Sequence, residues 1–532
     1  MRYPSPRWTA PVLLCVFLFF CIFIPPASAT IHNVKTECGA VGNGSNNDTA
    51  AINTCISRLA TGDTLLFPAG TYLVSSQLTV NVSGVTIDGS SNTATILNTG
   101  SQQIGFLIGR SGIGNTNAAL GTKIALSATA NEGATSFTTA SSLGVSAGGY
   151  VHLQQGGKDS SQGSTDTQCD TSGCRGEILK IASVSGNTYT VTTSLHDTFN
   201  PSLNGATAQA ISGMLSGVTV KNITFDGSGG ANNGVTYGLM LDDLADSTVS
   251  GVTSKNTQGA AIISSVTWNT AWNNITVTGA GSAACGGAVV IALSAAPSVN
   301  TMSLTNLTPG APNSGCLNNG AFGFEFLGAV TAGTINGLTV DSKGTGGGRP
   351  FKLTAARYNT FNSTTVKNGC CGYNGISLEY YSSHNTFNAC VIQNNGGTGT
   401  GNGNAGINSF GNFNQHNTFN NCTVTGNGNV QIMINNFDAL RLGQDSDVTI
   451  NGTTVGGPGT GVLVNASNGC INNNTFVAGS GLNTGISVMN TTNVGSGNVL
   501  NGYSSNLPSG TCQSSGSGGA PAPPTGLTAA VQ

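Results

Sequence analysis

The sequence predicts an all-β solenoid in which short strands wind into stacked coils. Three observations predict it. The first is a block repeated in one register: Tyr358-Asn-Thr-Phe-Asn362-Ser-Thr-Thr-Val366, His384-Asn-Thr-Phe-Asn388-Ala-Cys-Val-Ile392 and His416-Asn-Thr-Phe-Asn420-Asn-Cys-Thr-Val424. Equivalent asparagines stand 26 and 32 residues apart, and a period in that range marks units that bury their apolar faces only by stacking. The same register recurs at Asn273-Asn-Ile-Thr-Val277, Asn336-Gly-Leu-Thr-Val340 and Asn451-Gly-Thr-Thr-Val455. The second is composition: 78 of 532 residues are Gly, 38% are hydrophobic and only 7% are charged. With a net charge of −3, that excludes disorder driven by charge and fits short strands joined by tight turns. No basic run is present, which argues against a nucleic-acid surface. The third is a further strand pattern, Gly-φ-x-φ (φ apolar), as in Gly323-Phe-Glu325-Phe and Gly375-Ile-Ser-Leu-Glu379.

Taken in order, the chain opens with Arg2 and Arg7, an apolar run from Val12 to Ile24, and Ala27-Ser28-Ala29. That is the build of a secretory signal peptide over 1–29, with Thr30 the first mature residue. The run is about 13 residues, short of the roughly 20 needed to span a bilayer. The expected mature protein is therefore secreted, with no membrane segment. Of 14 cysteines, Cys15 and Cys21 fall in the leader, leaving an even number for an oxidising compartment. Cys38–Cys55, Cys169–Cys174 and Cys470–Cys512 are the candidate disulfides, with zinc the alternative for Cys169 and Cys174.

Residues 37–72 read Glu37-Cys-Gly-Ala-Val-Gly-Asn-Gly, Asp48-Thr-Ala-Ala-Ile-Asn-Thr-Cys-Ile and Phe67-Pro-Ala-Gly-Thr-Tyr72. Asp48 is placed to cap a short helix with Ala51, Ile52, Cys55, Ile56 and Leu59 on its apolar face. Such a helix would close the open end of a solenoid. The segment resembles the N-terminal cap of the pectate-lyase superfamily, in its epimerase- and rhamnogalacturonase-like branch, with Asn47 where the family has the first Asp of Asp-Asp-Thr-Ala-Ala-Ile. The resemblance covers about sixty residues closely and the repeats loosely. It implies a right-handed, single-stranded parallel β-helix with an N-terminal capping helix. The same cap fronts hydrolases, lyases and tail-spike-like proteins, so it implies no one activity.

Ile87-Asp88-Gly89 and Phe225-Asp226-Gly227 read as turns. About 120–213 loses the asparagine register and alternates as hairpins, a small β-rich insertion emerging from one coil. Coils then run to 505, so that 30–505 is one β-helix domain, and 506–532 has the Gly, Ser and Pro of a flexible tail.

Within each repeat, Phe387, Cys390 and Ile392 share an inward face only if the chain bends at Asn388, and likewise at Asn420. The asparagines are expected to stack in a ladder. Cys390 and Cys422 then sit one rung apart, either bridged or as stacked thiols. The same register puts Glu325 and Lys352 outward on adjacent rungs, with Glu379 one rung further and two residues along.

A β-helix offers a long groove to a polymer, and the expected partner is an extracellular polysaccharide. Cleavage of a uronic-acid polymer by β-elimination needs a base and a cation. Lys352 or Arg349 fills either role, with Glu325 and Glu379 as calcium ligands. Glu325 and Glu379 are also a wide carboxylate pair for hydrolysis. A plain ion pair between Glu325 and Lys352 on a solvated face is the structural alternative. Tyr380 and Tyr381 are the candidate sugar-stacking aromatics, and Arg357, His384, Asp242 and Asp243 the further substrate-binding candidates. Asp242-Asp243 also reads as a turn, and the His384/His416 register as structural. Lyase, glycoside hydrolase and non-catalytic adhesin stand as alternatives, with a monomer or a trimer both open.

Overall fold

The computed structural model describes residues 29–100, 103–110, 120–155, 175–202, 205–228, 236–280, 287–307, 322–342, 350–369, 373–396, 404–410, 414–434, 447–466, 468–489, 492–510 and 512. The leader to residue 28, Arg349 and the Cys169–Cys174 pair lie outside them. Two sheets dominate, one of 23 strands and one of 13, and their strands stack in parallel from coil to coil. The repeat sets the register: Thr360, Phe361 and Asn362 pair with Thr386, Phe387 and Asn388, which pair with Thr418, Phe419 and Asn420. This is the expected parallel β-helix.

Phe361, Phe387 and Phe419 are fully buried, and their rings stack at 4.7 and 5.0 Å down the core. The bend falls one residue later than the sequence suggests. Ser363, Ala389 and Asn421 carry the left-handed backbone, at φ 54°, 52° and 52°. Asn362, Asn388 and Asn420 remain in their strands because their side chains are otherwise engaged. Each donates from Nδ2 to the Oδ1 of the asparagine one rung before it, in a ladder that runs Asn273, Asn300, Asn336, Asn362, Asn388, Asn420 at 2.9–3.1 Å. A second ladder, which the sequence reading missed, is fully internal. Asn359 donates to Asn385 at 3.0 Å and Asn385 to Asn417 at 3.1 Å, and each also serves backbone groups of neighbouring coils. Asn385→Ala should therefore cost about 2–3 kcal/mol by stranding buried partners, and Asn388→Ala, on the more accessible ladder, about 0.5–1. Denaturant midpoints of the two variants check this; equal losses would contradict it.

Cys390 and Cys422 are bonded, their Cα atoms 4.4 Å apart across one rung. Cys38 is bonded to Cys55 and Cys470 to Cys512. The last of these ties down residues beyond 505. Ser505 pairs with Ile486 and Ser509 with Gly495, so the body of the protein reaches past the start of the expected tail.

The capping helix is Thr49–Ile56, with Ile52 and Cys55 buried. Asp48 is its N-cap residue, but the side chain does not cap the helix. Its carboxylate accepts from the backbone N–H of Val41 (2.6 Å) and Gly42 (3.0 Å), while Asn47 accepts from Thr49 N–H. Among the described residues no helix is long and apolar enough to cross a membrane.

The insertion is a six-stranded antiparallel sheet, from Ile124–Ala125 to Thr207–Ile211. A bridge between Leu126 and Thr139 joins its two outer strands, closing it into a small barrel. Leu153, Leu179, Tyr189 and Phe199 fill its interior. Tyr150, Ile178 and Ile211, on the barrel's outer surface, pack on Ala245, Val266, Leu293 and Ala329 of the β-helix. That contact brings the barrel strand Arg175–Ser185 and the loop after Val191 against one corner of the coils.

Candidate functional site

The outward face assembles as expected in register but not in environment. Glu325 pairs with Lys352 across one rung, and Glu379 lies one rung on beside Thr354. Lys352 Nζ sits 3.2 Å from Glu325 Oε1 and 3.6 Å from Glu379 Oε2. The side chains are only 12%, 5% and 4% exposed, so the face is not solvated. A lysine nitrogen clasped between two carboxylates is engaged on both sides, which leaves it badly placed to serve as a base toward a substrate. The carboxylates are likewise occupied by the ammonium, so the pair does not fit a calcium site. Among the described residues no group of three or more His, Cys, Asp and Glu is placed to hold a metal ion.

Tyr380 and Tyr381 are buried, at 7% and 5% exposure, and cannot offer ring faces to a sugar. Both have left-handed backbone, which turns them under the coil surface rather than out of it. Asp242 and Asp243 are also buried and lie within the strand Thr236–Ala245, not in a turn. Asp243 adopts φ 56°, which breaks the alternation expected of strand neighbours. Burial pushes its carboxyl up to about 6 against the pull of Arg110, whose Nε lies 3.8 Å from Oδ2.

A different cluster forms where the barrel meets the coils. Each coil has a corner residue with left-handed backbone, and one column of these runs Asp246, Asn269, Ala296, Ala332, Tyr358, His384, His416, Asp447, Asn468. Asp, Asn and His adopt this conformation more readily than most residues, whereas Tyr pays for it. Three consecutive rungs nonetheless carry rings there, at φ 58°, 57° and 54°. Tyr358 and His384 stack at 4.4 Å, and His384 and His416 at 4.5 Å. Because the faces cover one another, the column presents ring edges outward. His416 is about a third exposed, and its Nε2 lies 3.6 Å from Asp447.

The barrel supplies the rest. Glu177, fully buried, accepts from the backbone N–H of His196 and Asp197 and bonds His196 Nδ1 at 2.9 Å. That fixes the ring with Nε2 turned away, and Nε2 makes no hydrogen bond among the described residues. His196 lies 5.2 Å, ring to ring, from Tyr358. Asp197 is ion-paired with Arg357 and within 3.4 Å of the Tyr358 hydroxyl. Arg175 makes no ion pair among the described residues, yet its charge reaches both Asp197 and His384.

The electrostatics follow from burial and these pairs. Burial alone would lower the His196 pKa, but the Glu177 carboxylate raises it above its ordinary value. Burial raises Glu177, with the bond to His196 opposing it. Burial would also raise Asp197, but Arg357 holds it below the usual carboxylate range. Burial, then Arg357 and His416, push His384 down to about 3, so its ring is neutral at ordinary pH, one donor and one acceptor edge.

Of the expected site residues, the structure thus brings Lys352, Glu325 and Glu379 together in one place, and Arg357 with His384 in another. Sequence reasoning missed Glu177, His196, Asp197 and Tyr358 as partners. Tyr358, His384 and His416 head the three repeat blocks, so a signal was present for half of the cluster. Nothing local links the barrel residues to them: Asp197 and Arg357 are 160 residues apart.

Residues 31–286 match the family described as rhamnogalacturonase A/epimerase, pectate lyase-like. No curated protein sequence matches the chain. Among solved structures it is similar to the tailspike protein gp49 from Pseudomonas phage LKA1, with TM-score 0.59 and 14% identity over 90% of this chain and 79% of that one. It is also similar to the A-module of the Azotobacter vinelandii mannuronan C-5 epimerase AlgE4, with TM-score 0.50 and 13% identity over 87% of this chain and 100% of that one. At these identities the likeness is one of fold.

Proposed function

We propose, for a chain with the parallel β-helix fold whose residues 31–286 match a pectate-lyase-like family, that it is a secreted protein which binds an extracellular acidic polysaccharide where the barrel meets the coils and cleaves it there as a lyase. The observation that carries this reading is the His196 imidazole, oriented at Nδ1 by a buried carboxylate, unbonded at Nε2 and set against Tyr358. An imidazole held in this way is a general base.

In this reading the ring edges of His384 and His416 bind sugar hydroxyls, and Arg175 takes the uronate carboxylate. His196 Nε2 removes the proton from the carbon next to that carboxylate. The electron pair forms a carbon–carbon double bond as the neighbouring carbon–oxygen glycosidic bond breaks. The leaving oxygen takes a proton from the Tyr358 hydroxyl, which burial and Asp197 keep protonated. Solvent returns the proton on His196 to Tyr358, so no water is consumed and no oxidant is needed. Hydrolysis is less well supported, because both carboxylates here are committed, Glu177 to His196 and Asp197 to Arg357.

A panel of plant and bacterial polysaccharides tests the proposal. Absorbance near the ultraviolet edge reports a lyase, reducing ends without it a hydrolase, and binding without turnover an adhesin. His384→Ala and His416→Ala should each weaken polymer binding about tenfold, the equivalent of losing one or two hydrogen bonds. Unchanged binding in both would remove the corner column from the account.

A further inference from the structure

The N-terminal cap holds an acceptor that the signal-peptide cleavage would fill. Thr30 N lies 2.8 Å from Asp63 Oδ1, and the exposed Ala29–Thr30 bond is the expected cleavage point. Asp63 is itself buried, at 5% exposure, and its other oxygen, Oδ2, accepts from the backbone N–H of Ala60 at 2.8 Å. His32 Nε2 stands 3.3 Å from Oδ2, and its Nδ1 3.0 Å from Glu37, which in turn pairs with Arg58. Thr30 O accepts from Thr64 N–H, which fixes the residue at the start of the first strand pair. The carboxylate therefore sits where a new α-amino group would emerge, already oriented by two other contacts, from Ala60 N–H and from His32.

We propose that removal of the leader after Ala29 gives a charged N-terminus with a built receptor: the Thr30 α-ammonium pairs with the Asp63 carboxylate and locks the first coil. Before cleavage the contact is a neutral amide on a carboxylate. Afterwards it is charge-assisted, and such hydrogen bonds are about twice as strong. The charged groups around the ammonium are Asp63, His32, Glu37 and Arg58. Oδ2 of Asp63 serves Ala60 and His32, so the new charge arises at Oδ1, where Thr30 N already sits. The sign follows from linkage. Pairing raises the folded pKa of the amine above its ordinary value of about 7.7–8.0. Its stabilisation is complete below the unfolded value and is lost as pH rises through the folded one.

The test uses the full chain expressed with its own leader in a secreting host. Intact mass and N-terminal sequencing of the secreted protein should begin at Thr30. An amine-acylating reagent at pH 8, with the lysines as internal reference, should label the Thr30 amine about fivefold more slowly in the folded protein than in urea, which corresponds to one pKa unit at that pH. Asp63→Asn should restore ordinary labelling. Should that variant fail to fold, a mature protein carrying one extra alanine before Thr30 serves instead, since it moves the amine one residue away. A different first residue, or equal labelling in folded, unfolded and displaced forms, would overturn the proposal.

Discussion

Lys352→Ala should destabilise the protein by about 3–5 kcal/mol, because it leaves Glu325 and Glu379 buried without their shared cation. Denaturant midpoints of the variant and of wild type at neutral pH measure the loss. A triple replacement of Glu325 and Glu379 by Gln and Lys352 by Met should recover most of the stability, since uncharged groups of similar shape leave no stranded charge. The same variant separates structure from chemistry. With His196 as the base, Lys352→Ala keeps its turnover per folded molecule; a loss of turnover without a loss of folded protein would return the chemistry to the triad.

His196→Ala should lower turnover by about 10²–10⁴-fold, the usual contribution of a positioned general base, with little effect on binding. Glu177→Gln should lower it as well, because Glu177 fixes the ring and raises its pKa. The pH profile carries the signature. A base works only when deprotonated, so the rate should rise with pH through the His196 pKa, which lies above the ordinary 6.5. In Glu177→Gln the loss of the carboxylate charge should move that rise to lower pH. A merely structural role for Glu177 would leave its position unchanged.

The repeat made the coil legible in the sequence because every rung reports the same register. It placed Glu325 opposite Lys352 and the ladder asparagines in line, and both placements hold. What the register does not encode is what covers each face. Tyr380 and Tyr381 read as exposed, sugar-stacking aromatics, yet a left-handed kink turns them under the coil. The bend was misplaced by one residue for a related reason. Asparagine was credited with the turn it tolerates, whereas its amide is committed to the neighbouring rung and Ala389 makes the turn. The junction was the least readable part. His384 and His416 looked structural as members of a ladder, and only the barrel, folded back from about two hundred residues earlier, supplies the groups that give the ladder a chemical setting.

The most direct test of the account is product analysis of a uronic-acid polysaccharide treated with wild-type protein, His196→Ala and Lys352→Ala side by side. Unsaturated ends are expected from wild type and from folded Lys352→Ala, and none from His196→Ala. Unsaturated ends from His196→Ala at the wild-type rate, or saturated reducing ends from wild type, would contradict it.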